Sequence, residues 1–374
     1  MALDKELDGI LVVALEQAVA APYCSLLLAD AGARVIKLER PEGDFCRNYD
    51  RAANGQSTWF GWLNRGKQSV VVDYSQPDDA DLLRRLIAKA DIFLHNLAPG
   101  ALARNGFAPG DLRALNPRLI NLQISGYGTK GEAAEMKAYD FLVQAESGLC
   151  SVTGTADDPV RVGVSIADIS TGLTAFSAIL RALIQRGRTG TGVDLDISMF
   201  DVMADWMNMP LLAHRYWPAK PERMGLTHSL LSPYGAYECA DGDQILIAIQ
   251  NNREWAALCE QVLNRPGLGG EVRFADNAAR VENRKAVDTE IKRVFAKESR
   301  GAIAAKLQSA KIAWSHLSSL DDLSAHPFLR PAKADYAGSI IDLVDLPVKT
   351  KGPRPTRVPD LGQHSQSVRQ EFST

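Results

Sequence analysis

The sequence predicts an α/β protein with a mostly parallel sheet, and three observations carry that prediction. Short apolar runs of strand length alternate with helical segments through the first half of the chain. A long segment beginning near Asp168 repeats its apolar residues at helical spacing. After residue 218 the pattern changes to a hairpin followed by helices, which marks a second and smaller α+β unit. Alternation of buried strands and helices builds βαβ units, whose parallel strands are covered on both faces.

The elements come in order along the chain. GILVVAL (9–15) is a first strand ending at Glu16. PYCSLLLADAGA is a helix, with Pro22 suited to its first position and Gly32 to its stop. RVIKLE (34–39), SVVVDY (69–74), DIFLHNL (91–97) and LINLQISGYG (119–128) read as further strands. DDADLLRRLIAKA (78–90) and DLRALN (111–116) read as the helices between them. In the helix after Asp168, the residues Ile169, Leu173, Phe176, Leu180, Leu183 and Ile184 share one face, and Gly187 and Gly190 end it. VDLDISMF (193–200) alternates like a half-exposed strand. The Met- and Trp-rich stretch DVMADWMNMPLL then suits core or a subunit interface better than a cofactor box. PAKPER (218–223) reads as a linker. Asp241-Gly242 marks a hairpin, the region from Glu254 to Leu307 is mainly helical, and short apolar runs return near Ser339 before a tail with Pro353, Pro355, Pro359 and LGQHS.

Composition narrows the function. The 374 residues carry 42 Lys+Arg against 45 Asp+Glu, a formal net charge of −3. That balance argues against a general nucleic-acid binder, which needs a basic face. No apolar run suggests a membrane span of about 18 residues. The start MALDKELDGILVVAL puts acids where a signal peptide has bases, so it reads as mature protein. Cys24, Cys46, Cys150, Cys239 and Cys259 are odd in number and lack CxxC spacing, and the histidines lack HExxH. A cytoplasmic protein without a metal, a nucleic-acid partner or a membrane partner is expected.

Phosphate cradles are missing from the expected places. The first strand leads into LEQAVAAPYC, without the glycines of a dinucleotide fingerprint, and no P-loop occurs. Asp168 stands at the expected N-cap of the strongest helix, where it serves equally as a cap or as a nucleophile. The helix dipole there favours an ionised carboxylate. KAYDFLVQAESG gathers Lys137, Tyr139, Asp140, Gln144 and Glu146, with Tyr139 and Asp140 also suited to starting a helix. Open α/β sheets bind ligands at the carboxyl ends of strands, which favours Arg40, Asn96 and Arg104.

Taken together, AVAAPYCSLLLADAGARVIKLERPEGD, NRGKQSVVVD, FLHNLAPGALARNGF, SGYGTKG, KAYDFLVQAESG, SIADISTGLTAFSAILRALIQRGRTGTG and the terminal LGQH resemble the class III CoA-transferases, the family of formyl-CoA:oxalate and carnitine CoA-transferases. The resemblance covers nearly the whole chain. It implies a Rossmann-like large domain built from both chain ends (1–215 and 331–374), with the linker and small domain between them (216–330). It also implies a homodimer whose monomers interlink like chain rings. The family nucleophile matches Asp168. CoA-binding positions match Ala18, Val19, Arg40, Asn96, Leu97, Arg104, Lys137 and Tyr139. Formyl-CoA transferase has glutamine at the position of Val19, glutamate at that of Asp140, and a multi-glycine loop where this chain has GLTHSLLSPYG. These departures point away from formyl or oxalyl transfer.

The α-methylacyl-CoA racemases of the same family use a His-Asp pair where this chain has Tyr139-Asp140. A phenol, with a reference pKa near 10, is a poor general base at neutral pH. The resemblance therefore implies CoA transfer from a donor acyl-CoA to an acceptor acid, with CoA as cosubstrate and no tightly bound cofactor. An acyl-CoA racemase or isomerase and a silent CoA-binding protein are the alternatives. Small dicarboxylates are the expected acids, with succinyl-CoA as donor and itaconate, mesaconate or malate as acceptor. Arg47, Arg51, Arg161 and Arg223 are candidates for a distal carboxylate, and Asp140 and His228 for substrate contact.

Overall fold

The computed structural model describes residues 3–217 and 222–373. The core of the expected linker, residues 218–221, lies outside them. The chain divides into two compact units, one of residues 1–149, 161–209 and 330–374, the other of residues 150–160 and 210–329. The sequence alone suggests a large part unbroken to residue 215. In the structure 150–160 group with the second unit, where Gly225 N donates to Gly154 O at 2.8 Å.

The first unit holds a six-stranded parallel sheet. Its strands are β1 (Leu11–Leu15), β2 (Arg34–Glu39), β3 (Lys67–Val71), β4 (Ile92–His95), β5 (Ile120–Ser125) and β6 (Val193–Ser198). They lie in the order β3-β2-β1-β4-β5-β6. The sense of winding reverses between β1 and β4, the switch point at which such sheets open a crevice. Helices α1 (Ala20–Asp30), α2 (Thr58–Asn64), α3 (Pro77–Lys89), α4 (Pro109–Leu115), α5 (Asp140–Glu146), α6 (Leu149–Val152), α7 (Ile166–Thr189) and α8 (Met199–Trp206) follow in chain order.

Successive side chains of β1 enter opposite cores, as the two-residue period of a strand requires. Val12 and Ala14 join Leu28, Leu122 and Ile179 on the face covered by α1 and α7. Val13 and Leu15 join Leu83, Leu86 and Phe93 on the face covered by α3. The helix α7 is long and apolar enough to cross a membrane by length and composition, contrary to the sequence expectation. Here it packs along α1 and contributes Ala175, Ile179 and Ala182 to the core. Gly172 permits the close approach, since a Cβ there would sit 2.5 Å from Ala20 O. Gly190, left-handed at φ 76°, ends α7, whereas Gly187 lies within it. Pro22 is the third residue of α1 rather than the first.

The chain end returns to this unit. Strands Pro331–Tyr336, Ser339–Val344 and Arg357–Val358 form a small sheet whose Ala334, Tyr336 and Val358 bury against Phe60 and Leu63 of α2. The last helix, Ser365–Glu371, covers the edge strand β3. There Ser69 N donates to His364 Nδ1 (3.2 Å) and Val71 N to Ser365 Oγ (3.0 Å), so the edge has no row of free amides.

The second unit carries the expected hairpin. Tyr234–Glu238 and Gln244–Ala248 pair antiparallel around Gly242, and Ala313–His316 joins them as a third strand. Ile245, Ile247, Trp255, Phe274 and Phe295 form its core.

Candidate active site

A cleft of about 530 Å³ opens in the first unit at the carboxyl ends of β1, β4, β5 and β6. Gln17 and Ala18 come after β1, Asn96 to Pro99 after β4, Ser125 and Gly126 end β5, and Met199 comes after β6. Ala20, Arg104, Ile124, the segment 134–140, Phe45, Tyr49 and Asp168 complete the lining.

The turn after β1 is held from both sides. Asn96 Oδ1 accepts from Gln17 N (3.0 Å), and Asn96 Nδ2 donates to Gln17 O (2.8 Å). Ala18 is left-handed, with φ 62°, an uncommon conformation for a residue with a β-carbon. Its amide donates to Asp44 Oδ1 at 3.1 Å. Asp44 Oδ2 accepts from the buried Lys37 Nζ (2.9 Å), and Glu16 accepts from Lys67 Nζ (2.8 Å) and Ser25 Oγ (2.6 Å). Glu39 takes the Arg47 fork through two bonds of 2.8 Å and the Asp44 amide at 3.1 Å. Burial alone would raise the Glu39 carboxyl, but Arg47 and Lys37 hold it down at about 2. Three cations thus face three carboxylates beneath the turn, nearly dry, which makes the backbone position costly to shift.

Asp168 occupies the third position of α7, not its N-cap. The cap is Ser165, whose side chain makes no capping bond. The first-turn amides are met from another helix. Asp140, at the start of α5 and 9% exposed, accepts from Ala167 N (2.8 Å) and Asp168 N (3.4 Å) through Oδ1. Its Oδ2 accepts from Gln144 Nε2 (2.8 Å), and Gln144 Oε1 accepts from Val162 N (2.9 Å). Asp168 itself is half-buried, and among the described residues its carboxylate accepts no hydrogen bond. Burial first, and the Asp140 charge second, push it up to about 7. The expectation that the dipole keeps this carboxylate ionised at neutral pH leaves out desolvation and a like charge, which act against the helix dipole here.

Only part of the expected site lines the cleft. It gathers Asp168, Ala18, Asn96, Leu97, Arg104, Lys137, Tyr139 and Asp140. Among the described residues Arg104 and Lys137 form no ion pair, and Tyr139 is 63% exposed. Val19 is instead buried against Phe60 and Cys46. Arg40 stands beside the cleft and donates to Gln17 Oε1 at 3.3 Å. Arg47 does not reach the cleft, because its fork is spent on Glu39 and its plane lies over the Phe60 ring at 3.7 Å. Arg223 lies in the second unit and donates to the carbonyls of Thr155 (2.8 Å) and Ala156 (2.7 Å), pinning that segment. His228 is in the same unit, with Nδ1 accepting from Leu230 N (3.0 Å) and its ring 5.2 Å from Tyr234. Arg51 is exposed, and Arg161 Nη1 is 4.0 Å from Asp140 Oδ2. The cleft also takes in Gln17, Phe45, Tyr49 and Met199, which no sequence motif marks. The positions of Gln17 and Met199, just past the ends of β1 and β6, are the signal that could have pointed to them.

Residues 7–365 match the model of CoA-transferase family III. The succinate–glutarate CoA-transferase of Agrobacterium fabrum is 33% identical over 98% of this chain and 96% of its own. The succinyl-CoA:mesaconate CoA-transferase of Haloarcula marismortui is 33% identical over 76% of this chain and 74% of its own. A CAIB/BAIF family protein from Brucella suis superposes with a TM-score of 0.82 at 33% identity, over 98% of this chain and 99% of that one. The chain belongs to CoA-transferase family III. Its cosubstrate is CoA, carried as a thioester.

Proposed function

We propose that this cleft moves CoA between two small dicarboxylic acids with Asp168 as nucleophile. The observation that carries the reading is the half-buried Asp168 carboxylate on the cleft wall, raised toward 7 and without a hydrogen-bond partner among the described residues. A carboxylate so placed is a stronger nucleophile than a solvated one. It attacks the thioester carbonyl of the donor, forming an aspartyl–acyl anhydride and releasing CoA thiolate. The thiolate attacks the aspartyl carbonyl, which frees the donor acid and leaves an aspartyl-CoA thioester. The acceptor carboxylate attacks that thioester, giving a second anhydride and thiolate. The thiolate takes the acceptor acyl group, and Asp168 is regenerated as a carboxylate.

Arg104 and Lys137, with Arg40 beside the cleft, supply cations for the CoA phosphates. Asn96 positions the turn rather than binding with its amide, both ends of which are taken by Gln17. Val19 acts from the core behind that turn. The acids are inferred from the relatives that act on succinate, glutarate and mesaconate. Arg161 is the arginine of the four nearest a cleft carboxyl and is assigned the distal carboxylate. The working form is a cytoplasmic homodimer with interlinked chains, for which the exposed Trp206 and Leu173 offer apolar surface. Tyr139 in place of an imidazole, and the use of Asp140 as a cap, favour transfer over α-carbon racemisation.

The test incubates the enzyme with succinyl-CoA and hydroxylamine. Time-dependent inactivation with a hydroxamate mass shift on the Asp168 peptide is expected; an unmodified peptide with full activity would refute the covalent route. Butyryl-CoA run beside succinyl-CoA reads the distal site, and equal specificity constants would remove Arg161 from it.

A further inference from the structure

Away from the cleft, a second cavity lies between Arg65, just ahead of β3, and the chain-end segment 330–356. About 430 Å³ in volume, it shares no lining residue with the first. Arg65, Arg330, Lys333, Lys349 and Arg354 line it against a single carboxylate, Asp345. The whole protein is net negative, so five cations against Asp345 and the neighbouring Asp30 are a local reversal.

The walls are built rather than draped. Gly66 N donates to Arg357 O (2.8 Å), Asp345 N to Arg330 O (2.8 Å), and Lys351 N to Leu3 O (2.8 Å). Arg354 Nε lies 2.7 Å from Asp345 Oδ1, and its Nη1 pairs with Asp30. Arg330 Nη1 is 3.6 Å from Asp345 Oδ2. Arg65 is the deepest cation, 3% exposed. Its Nη1 donates to Trp62 O (2.8 Å), while its Nη2 is buried with no partner among the described residues. An ionised donor left buried and unmet is costly, and such groups are met by an anion where one can enter. Lys333 and Lys349 are exposed and form no ion pair among the described residues.

We propose that this cavity is a second binding site, for a small phosphate-bearing polyanion. Arg65, with its buried unmet Nη2, supplies a donor for a phosphate oxygen, and Lys333 and Lys349 add point charge at the rim, whereas Arg330 and Arg354, engaged by Asp345, Asp30 and the carbonyls of Leu346 and Val348, add charge without a free fork. The excess of cations suits the several charges of a diphosphate better than the single charge of a carboxylate.

The experiment titrates inorganic pyrophosphate into protein already saturated with CoA, by calorimetry at low ionic strength, so that phosphate positions of the cleft are filled. One saturable site per chain is expected. The double variant Lys333→Glu/Lys349→Glu, altered only at exposed positions, should weaken it at least tenfold while CoA exchange and melting temperature stay unchanged. Absence of saturable heat, or undiminished affinity in the double variant, overturns the site. Glutarate serves as the second probe, and tighter binding of glutarate than of pyrophosphate overturns the assignment to phosphate.

Discussion

Asp140 accepts the backbone amide of Asp168 while its own charge opposes the Asp168 carboxylate. One side chain thus fixes the first turn of α7 and destabilises the anion that the turn presents. Holding the proposed nucleophile and raising its basicity fall to the same side chain.

Asp168→Asn is expected to abolish CoA exchange and to stabilise the fold. Asp168 makes no capping bond, so little is lost with it. A carboxyl raised from 3.8 to about 7 contributes stability that is fully present below pH 3.8 and lost as pH rises through about 7. The melting temperature of the variant should therefore exceed that of wild type at pH 8, with the gap closing as pH falls toward 4. Thermal melts across that range, beside an exchange assay, check both halves; a variant less stable at pH 8 contradicts the buried-charge account.

The pH profile of kcat/KM should rise with ionisation of Asp168 and level off above about 7. Asp140→Asn removes the neighbouring charge while keeping an oxygen for the Ala167 amide. Its inflection should move to lower pH. Asp140→Ala also removes the acceptor and should cost about 1 kcal/mol, as lost caps do. An inflection unmoved in Asp140→Asn would detach the two carboxyls.

Asn96→Ala removes both bonds to Gln17 and frees the turn after β1. A rise in KM for the acyl-CoA is expected, with a stability loss of about 1–2 kcal/mol for two partly buried hydrogen bonds. Kinetics beside urea denaturation separate the effects, and an unchanged KM would show that the turn keeps its shape unaided.

Lys37→Met leaves the buried Asp44 without its cation, Glu16 keeping Lys67, and should cost about 3–5 kcal/mol. Arg34→Ala, which breaks an exposed pair with Glu371, should cost below about 1 kcal/mol. Denaturant midpoints of the two variants give the comparison directly; similar losses would mean that burial does not set the value of these pairs.

Sedimentation at micromolar concentration should show a dimer. Trp206→Asp, placed on exposed apolar surface, should shift it toward monomer without lowering the melting temperature by local unpacking. A folded, fully active wild-type monomer would exclude the proposed assembly.

The sheet is legible in the sequence because its strands are buried on both faces. RVIKLE falls at Arg34–Glu39 as expected, and the hairpin turns at Gly242. SVVVDY places β3 too late, since the strand begins at Lys67, whose charge disguises a buried residue paired with Glu16. The same blindness applies to Arg47. A sequence shows a guanidinium in a loop, not the Glu39 carboxylate that occupies it. Asp168 and Asp140 stand out in their motifs, but the capping of α7 by α5 does not, because the two residues are 28 positions apart. Tyr49 and Phe45 escape notice because a loop segment gives no periodic signal, and their place on the cleft depends on a turn made elsewhere.

The charges beneath the turn after β1 cancel, with Lys37, Lys67 and Arg47 against Glu16, Glu39 and Asp44. Seen from solution that foundation is electrically quiet. At the proposed CoA site, an incoming polyanion would sense at long range mainly the rim groups Arg40, Arg104 and Lys137, set against Glu135. Beyond about 8 Å at physiological ionic strength even these are screened. On the proposed function, capture of the nucleotide would be a property of a few surface side chains, tunable by salt or by one substitution, while the shape of the turn after β1 rests on interior pairs that salt barely reaches.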